Sequence, residues 1–253
     1  MLNVIYEDKD KIIVNKPAGQ LSQSARGFDM DLVSEVLTYR KNKGEEAYAA
    51  IINRLDRPVS GLVLIAKNKK EAARLSALMQ RESLCKQYLV LVCGRPHSDT
   101  GTFTDYLLKN GKDNTSKVVS KEQSGAKKAV LEYSLIDYDE ERNVSRLLIN
   151  LITGRHHQIR VQLSSRNLPV VGDGKYGGNP AVKKAEEYHI KRGCIALCAK
   201  SLTVDGKVYE MSLNFRRKIE RLKTEIGTAQ ENKQSNNRIF SSIIVGNVEL
   251  FHI

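Results

Sequence analysis

The sequence predicts an α+β domain, a sheet flanked by helices, and three observations lead there. Apolar runs of strand length, rich in β-branched residues, recur at residues 2–6, 11–15, 62–66, 86–94, 129–136, 144–151, 195–204 and 208–213. Two stretches, 31–40 and 68–79, instead carry apolar residues at helical spacing. Short polar turns separate several of the strand-like runs, the pattern of hairpins. At 253 residues with 41% hydrophobic content, the chain suits one large or two small domains and can bury a substantial core.

The first two runs flank Glu7-Asp8-Lys9-Asp10 and read as a hairpin, and Lys16-Pro17-Ala18-Gly19 ends its second strand. Leu32, Val33, Val36 and Leu37 share the face of a surface helix closed by Lys43-Gly44. An arginine-rich stretch around residues 53–58 reads as a loop entering a buried strand at 62–66. Asn68 is placed to cap the next helix, with Glu71 three residues on as in a capping box.

Residues 86–94 alternate Tyr88, Val90 and Val92 against Leu89, Leu91 and Cys93, as a central strand does, and Arg95-Pro96 breaks it. Residues 109–128 are polar, with six lysines against Asp113 and Glu122. They read as a flexible basic hairpin or loop able to approach phosphates, or as a plain solvated loop. Runs 129–136 and 144–151 form a strand pair. In 157–163, Ile159, Val161 and Leu163 alternate like a strand, while Ile159 and Leu163 also share a helix face; the pattern leaves both readings open. Asp205-Gly206 marks a last hairpin turn. Residues 218–226 read as a basic helix, 228–238 as a polar linker, and 240–253 return to apolar, strand-like character.

Lysine and arginine outnumber acidic residues by 41 to 29, a net charge of +12, which suits a polyanionic partner or simply solubility. The four cysteines offer one close pair, Cys194 and Cys198, short of a zinc set, and read as reduced structural thiols. Adjacent His156 and His157 point apart on either a helix or a strand, and no third ligand follows at a recognised spacing, so no metal is expected. No apolar run approaches the roughly 20 residues that span a bilayer, so a soluble cytoplasmic protein without membrane contact is expected.

The chemistry-bearing stretch is Arg54-Leu55-Asp56-Arg57, one carboxylate between two arginines just before a buried strand. Residues 53–62, Asn-Arg-Leu-Asp-Arg-Pro-Val-Ser-Gly-Leu, resemble the signature His-Arg-Leu-Asp-x-x-Thr-Ser-Gly-Leu of RluA-type RNA pseudouridine synthases. Further resemblances lie in Lys-Pro-Ala-Gly at 16–19, Lys-x-Tyr at 86–88, Gly-Arg-His-His-Gln-Ile-Arg at 154–160, and Val-Gly-Asp-x-x-Tyr-Gly at 171–177. Together they span roughly residues 10 to 215 in the family's order. Asn53 and Val59 depart from the histidine and threonine usual at those positions.

The resemblance implies a pseudouridine synthase fold: a long, mainly antiparallel mixed sheet with peripheral helices and a central active-site cleft, occupying residues 1–217. The resemblance does not explain the extension 218–253, whose role it leaves open, and the S4-like domain that precedes the catalytic domain in many relatives is not expected. A helix is implied from near His156. Asp56, Tyr88 and Arg160 are the implied catalytic residues: Asp56 as the reacting carboxylate, Arg160 as its partner, and Tyr88 stacking on the base. By itself Tyr88 also reads as a core residue. Leu197 lines the implied uracil pocket. Arg54, Arg57, Arg155, His157 and Gln158 are expected toward the substrate, with Arg54 and Arg57 at the RNA backbone or in the gap left by a flipped base. The implied activity is an isomerase acting as a monomer on rRNA or tRNA without cofactor or metal. A non-catalytic RNA-binding or RNA-folding protein on the same fold is the alternative. A glycosidase would need a second placed carboxylate, and no motif nominates one.

Overall fold

The computed structural model describes residues 2–24 and 31–211. The expected helix at 218–226, the linker and the 240–253 run lie outside the described residues, as does the end of the last expected strand. Among the described residues, no helix is long and apolar enough to cross a membrane.

In the first turn, Asp8 accepts the backbone N–H groups of Asp10 and Lys11, both at 2.8 Å. That closes the hairpin between β1 (Val4–Glu7) and β2 (Lys11–Lys16). Helix α1 (Leu32–Asn42) starts where the Asp31 carboxylate accepts the Ser34 N–H, and it buries Leu32, Val36 and Arg40. A two-residue strand β3 (Ala50–Ile51) precedes β4 (Ser60–Ala66), every residue of which is buried, as its unbroken apolar run requires. Asn68 caps α2 (Lys69–Gln80) by accepting the Glu71 N–H at 2.9 Å. The other half of the expected capping box does not form, because the Glu71 carboxylate is taken by the guanidinium of Arg74.

Strands β5 (Cys85–Cys93), β6 (Thr100–Asn110), β7 (Thr115–Val119), β8 (Lys127–Asp139) and β9 (Val144–Leu151) follow, then α3 (Gln158–Ser164), α4 (Gly178–Glu187), β10 (Leu197–Val204) and β11 (Lys207–Glu210). They form one sheet in the order β1-β2-β4-β10-β5-β9-β8-β6-β7, with β11 added to β10 and β3 to β4. Among the described strands only the β4–β10 pair is parallel, so the sheet is mixed and mainly antiparallel, as expected. Of the two forms expected for residues 109–128, hairpin or loop, the structure has the hairpin: they run through the end of β6, all of β7 and the start of β8, with β6 and β7 paired from Tyr106↔Val119 to Asn110↔Thr115. Its lysines still face solvent. The ambiguous 157–163 segment is helical from Gln158 onward. Strand β6, which alternates only weakly, and helix α4, which opens on Gly178-Asn179-Pro180, are not among the elements expected from the sequence.

The parallel seam positions the rest. Gly61 sits opposite Ala199 at φ +117, and a Cβ there would lie 2.4 Å from the Ala199 carbonyl oxygen. Glycine alone fits both the backbone and the space. Gly61→Ala is expected to cost about 3 kcal/mol or more, from overpacking added to left-handed strain, measured as a fall in the denaturation midpoint. Immediately before this seam the chain carries Asp56. Across it, Leu197 pairs with Val90 and Ala199 with Tyr88, which brings the entry to β4, the start of β10 and the middle of β5 to one place in mid-sheet.

Candidate active site

Several residues of the loop before β4 are tied down by hydrogen bonds on both sides of Asp56. Asn53 is 7% exposed. Its amide donates to the Leu62 carbonyl at 3.0 Å and its oxygen accepts the Leu64 N–H at 2.7 Å, tying the loop to β4. Ser22 bonds both backbone groups of Leu55. The Arg57 carbonyl accepts the Gly19 N–H at 2.7 Å, and the Arg57 side chain returns a bond to the Gly19 carbonyl. Lys16, with no exposed surface, directs its ammonium at the carbonyls of Pro17, Gln20 and Arg57. Burial lowers its pKa to about 8, against the opposing pull of Asp56. Asp56 itself is held through its backbone carbonyl by Val59 N–H, and its carboxylate is left partly open.

One cation, one imidazole and one phenol ring surround that carboxylate. Arg160, on the first turn of α3, donates through Nη1 to Asp56 Oδ2 at 3.0 Å. The remaining edge of its guanidinium makes a two-bond fork with Asp173, at 2.7 and 2.8 Å. Asp173 is 1% exposed and also accepts the N–H groups of Lys175 and Tyr176. Although burial opposes the charge on Arg160, Asp173 and then Asp56 hold its pKa above the ordinary arginine value. A planar fork gripped on one edge leaves the other edge aimed, which a lysine could not do. His157 Nε2 lies 3.5 Å from the same Oδ2, and its Nδ1 is 2.7 Å from the Tyr176 hydroxyl.

Tyr88 faces this point from β5 and is 7% exposed. Burial, and then the charge of Asp56, push its phenol above the ordinary tyrosine pKa, so the ring presents a neutral hydroxyl at neutral pH. Leu197, 3% exposed, lies at the start of β10, paired with Val90 of β5.

The other residues expected toward the substrate divide. Arg54 and Arg57 are exposed on either side of Asp56. Arg155 is half-buried, bonded to the Lys128 carbonyl and paired with Glu82 at 3.6 Å. Gln158 is 3% exposed. Its oxygen accepts from Thr153 and the Arg155 N–H, and its amide donates to Val130 and Gln162. Gln158 therefore sits beneath the site and shapes the turn into α3.

Known proteins match this arrangement in sequence and in fold. The chain fits the RNA pseudouridylate synthase family model over residues 10–165, a span that holds Asp56, Tyr88 and Arg160. It belongs to that family. The family is one of isomerases that modify RNA. Ribosomal large subunit pseudouridine synthase C of Rickettsia felis is 29% identical over 85% of this chain and 67% of its own length. Ribosomal large subunit pseudouridine synthase D of Blochmanniella floridana is 34% identical over 72% of this chain and 56% of its own. The chain thus spans between about half and two thirds of the length of these relatives. The solved human RNA pseudouridylate synthase domain containing 4 superposes with TM-score 0.69 at 18% identity, covering 83% of this chain and 88% of that one. Human RNA pseudouridylate synthase domain containing 1 gives 0.67 at 23%, covering 83% and 82%. At those identities the likeness is one of fold.

Within an RNA pseudouridylate synthase chain, the two departures from the signature are now placed. Asn53 supports the backbone of β4, and Val59, 3% exposed, fills core, so both lie behind Asp56. Asp173 and Tyr176 belong to the resemblance at 171–177, to which the sequence attaches no site role. The available signal was Arg160 itself, since a guanidinium on an apolar helix needs a buried counter-charge.

Proposed function

We propose that this chain isomerises uridine in RNA to pseudouridine, acting as a cytoplasmic monomer on rRNA or tRNA, with Asp56 as the reacting carboxylate. The observation that carries the reading is the Asp56 carboxylate, tied by Arg160 at 3.0 Å and faced by Tyr88, in a chain of this family. The reaction breaks the N1–C1′ bond, turns the base, and joins C5 to C1′. C5 gives up its proton and N1 ends protonated, so no electrons or added groups are needed. What is required is a carboxylate to form or stabilise a covalent species, a pocket for the base and cations for phosphates.

Tyr88 and Leu197 offer the flat and apolar surfaces for a flipped uracil. Arg54 and Arg57 border the opening, and the exposed lysines of the β6–β7–β8 region, Lys109, Lys112, Lys117, Lys127 and Lys128, extend a basic surface beyond it. The names of the ribosomal large subunit relatives favour rRNA over tRNA.

RNA carrying tritium at C5 of uridine tests the reading, because pseudouridine formation releases that tritium to water. Release by the purified chain is expected; salt-sensitive RNA binding without release from any cellular RNA would favour a non-catalytic RNA-binding role. Tyr88→Phe keeps the stacking surface and removes the hydroxyl. If the hydroxyl takes part in moving the C5 proton, single-turnover kcat falls by about 100-fold while RNA affinity stays unchanged.

A further inference from the structure

Two groups beside Asp56 have no part in the chemistry above, and their geometry is specific. His157 precedes α3 with φ 54, a left-handed backbone that side-chain-bearing residues adopt uncommonly and that tends to be kept where it serves a site. That backbone sets one imidazole nitrogen in hydrogen-bond contact with Tyr176 and leaves the other 3.5 Å from Asp56 Oδ2, just outside such contact. The Tyr176 oxygen already accepts the Ser116 N–H at 2.9 Å, so the phenol's own proton is available to donate to His157 Nδ1. An imidazole that accepts at Nδ1 carries its proton on Nε2, the nitrogen 3.5 Å from Asp56.

The same cluster is built onto the tip of the β6–β7 hairpin. The His156 ring stacks on that of His157 at 3.7 Å, and its nitrogens contact Ser116 Oγ at 2.9 Å and Asn114 Oδ1 at 3.1 Å. Lys175 Nζ bonds the carbonyls of Asp113 and Asn114. Beneath them, Leu107, Ala129 and Val161 form a small apolar cluster against which Tyr176 packs.

We propose that Tyr176 and His157 form a positioning relay: Tyr176, held by Ser116 of the hairpin, keeps the His157 proton on Nε2, directed at Asp56 Oδ2. The relay rests on the reading of Asp56 as the catalytic carboxylate. Arg160 and His157 both address Oδ2, which leaves Oδ1 as the oxygen facing the base. A neutral donor steadies the carboxylate without adding a second charge to the one Arg160 supplies.

The surroundings keep His157 neutral. Burial first, then Arg160, His156 and Lys175, outweigh Asp56 and lower its pKa to about 4. Asp173 and Tyr176 complete the groups around it, and Lys109 bears on His156. Because this folded-state value lies below the unfolded one, the group's contribution to stability is present above about pH 6.5 and lost as pH falls through about 4.

The test is nitrogen NMR of the imidazoles in the full chain, paired with kinetics. In the wild type, His157 is expected in the Nε2–H form at pH 7, with a titration midpoint below about 5. Tyr176→Phe should introduce the Nδ1–H form and move the midpoint toward 6.5. In single-turnover assays His157→Asn, too short to reach Asp56, should lower kcat about 10-fold with RNA affinity unchanged. His157→Gln, which returns a donor to the Nε2 position, should recover most of that loss. An Nδ1–H form in the wild type, a Tyr176→Phe protein with unaltered tautomer and midpoint, or equal activity of the Asn and Gln variants would overturn the relay. Absence of tritium release by the wild type defeats the catalytic reading instead, and the NMR result then decides the relay separately.

Discussion

Asp173→Asn is expected to destabilise the fold by about 3 kcal/mol, more than its single removed charge would suggest for a surface site. The reason is what remains behind. Arg160 has a side chain 6% exposed and relies on Asp173 for two of its three carboxylate bonds. Removing the charge leaves a guanidinium in the core with only Asp56 opposite it. A double-mutant cycle with Arg160→Gln makes the claim specific: because each single change orphans the other group, the double variant should lose little more stability than either single one. Additive losses in urea denaturation would mean that the two residues do not act as a unit. Activity should fall with the same change, since the Asp173 fork aims Arg160 at Asp56.

Asp56→Asn is expected to do the opposite, sparing the fold and abolishing the chemistry. The side chain is 29% exposed, and no backbone group depends on its carboxylate; the loop is anchored through Asn53, Leu55 and Arg57. The denaturation midpoint should therefore shift little. Tritium release should fall below about 1/1,000 of the wild-type rate, as for loss of a group that forms or stabilises a covalent species. RNA binding should persist, because the lysines and arginines that meet phosphate are untouched. Release undiminished in Asp56→Asn would remove this residue from the mechanism.

Much of this site was legible before any coordinates. A carboxylate between arginines ahead of an unbroken apolar strand marked Asp56, and the family resemblance attached Tyr88, Arg160 and Leu197 to it. Tyr88 and Leu197 lie on apolar strands, β5 and β10, whose burial the sequence displays directly, whereas the pattern around Arg160 fits helix and strand alike and the resemblance supplied the helix. What escaped is long-range and polar. Asp173 lies in a glycine-rich loop with no periodicity, and only the folded chain shows it meeting Arg160. Gln158 looked like a polar group on the way to the substrate, yet four hydrogen bonds hold it inside. Among fold elements, β6 alternates only weakly and α4 opens with Gly178-Asn179-Pro180, so neither advertised itself. The hairpin of β6 and β7 shows the same division: its charge was plain in the lysines, whereas its attachment to His156 and Tyr176 depends on side chains about 40 to 60 positions away.

The most direct test of the central claim is to treat RNA from cells lacking this gene with the purified chain and map pseudouridine at single-nucleotide resolution, with Asp56→Asn in parallel. The expected result is new pseudouridine at one or a few defined uridines with the wild-type chain and none with the variant. Salt-sensitive binding of that RNA with no new pseudouridine at any position would contradict it.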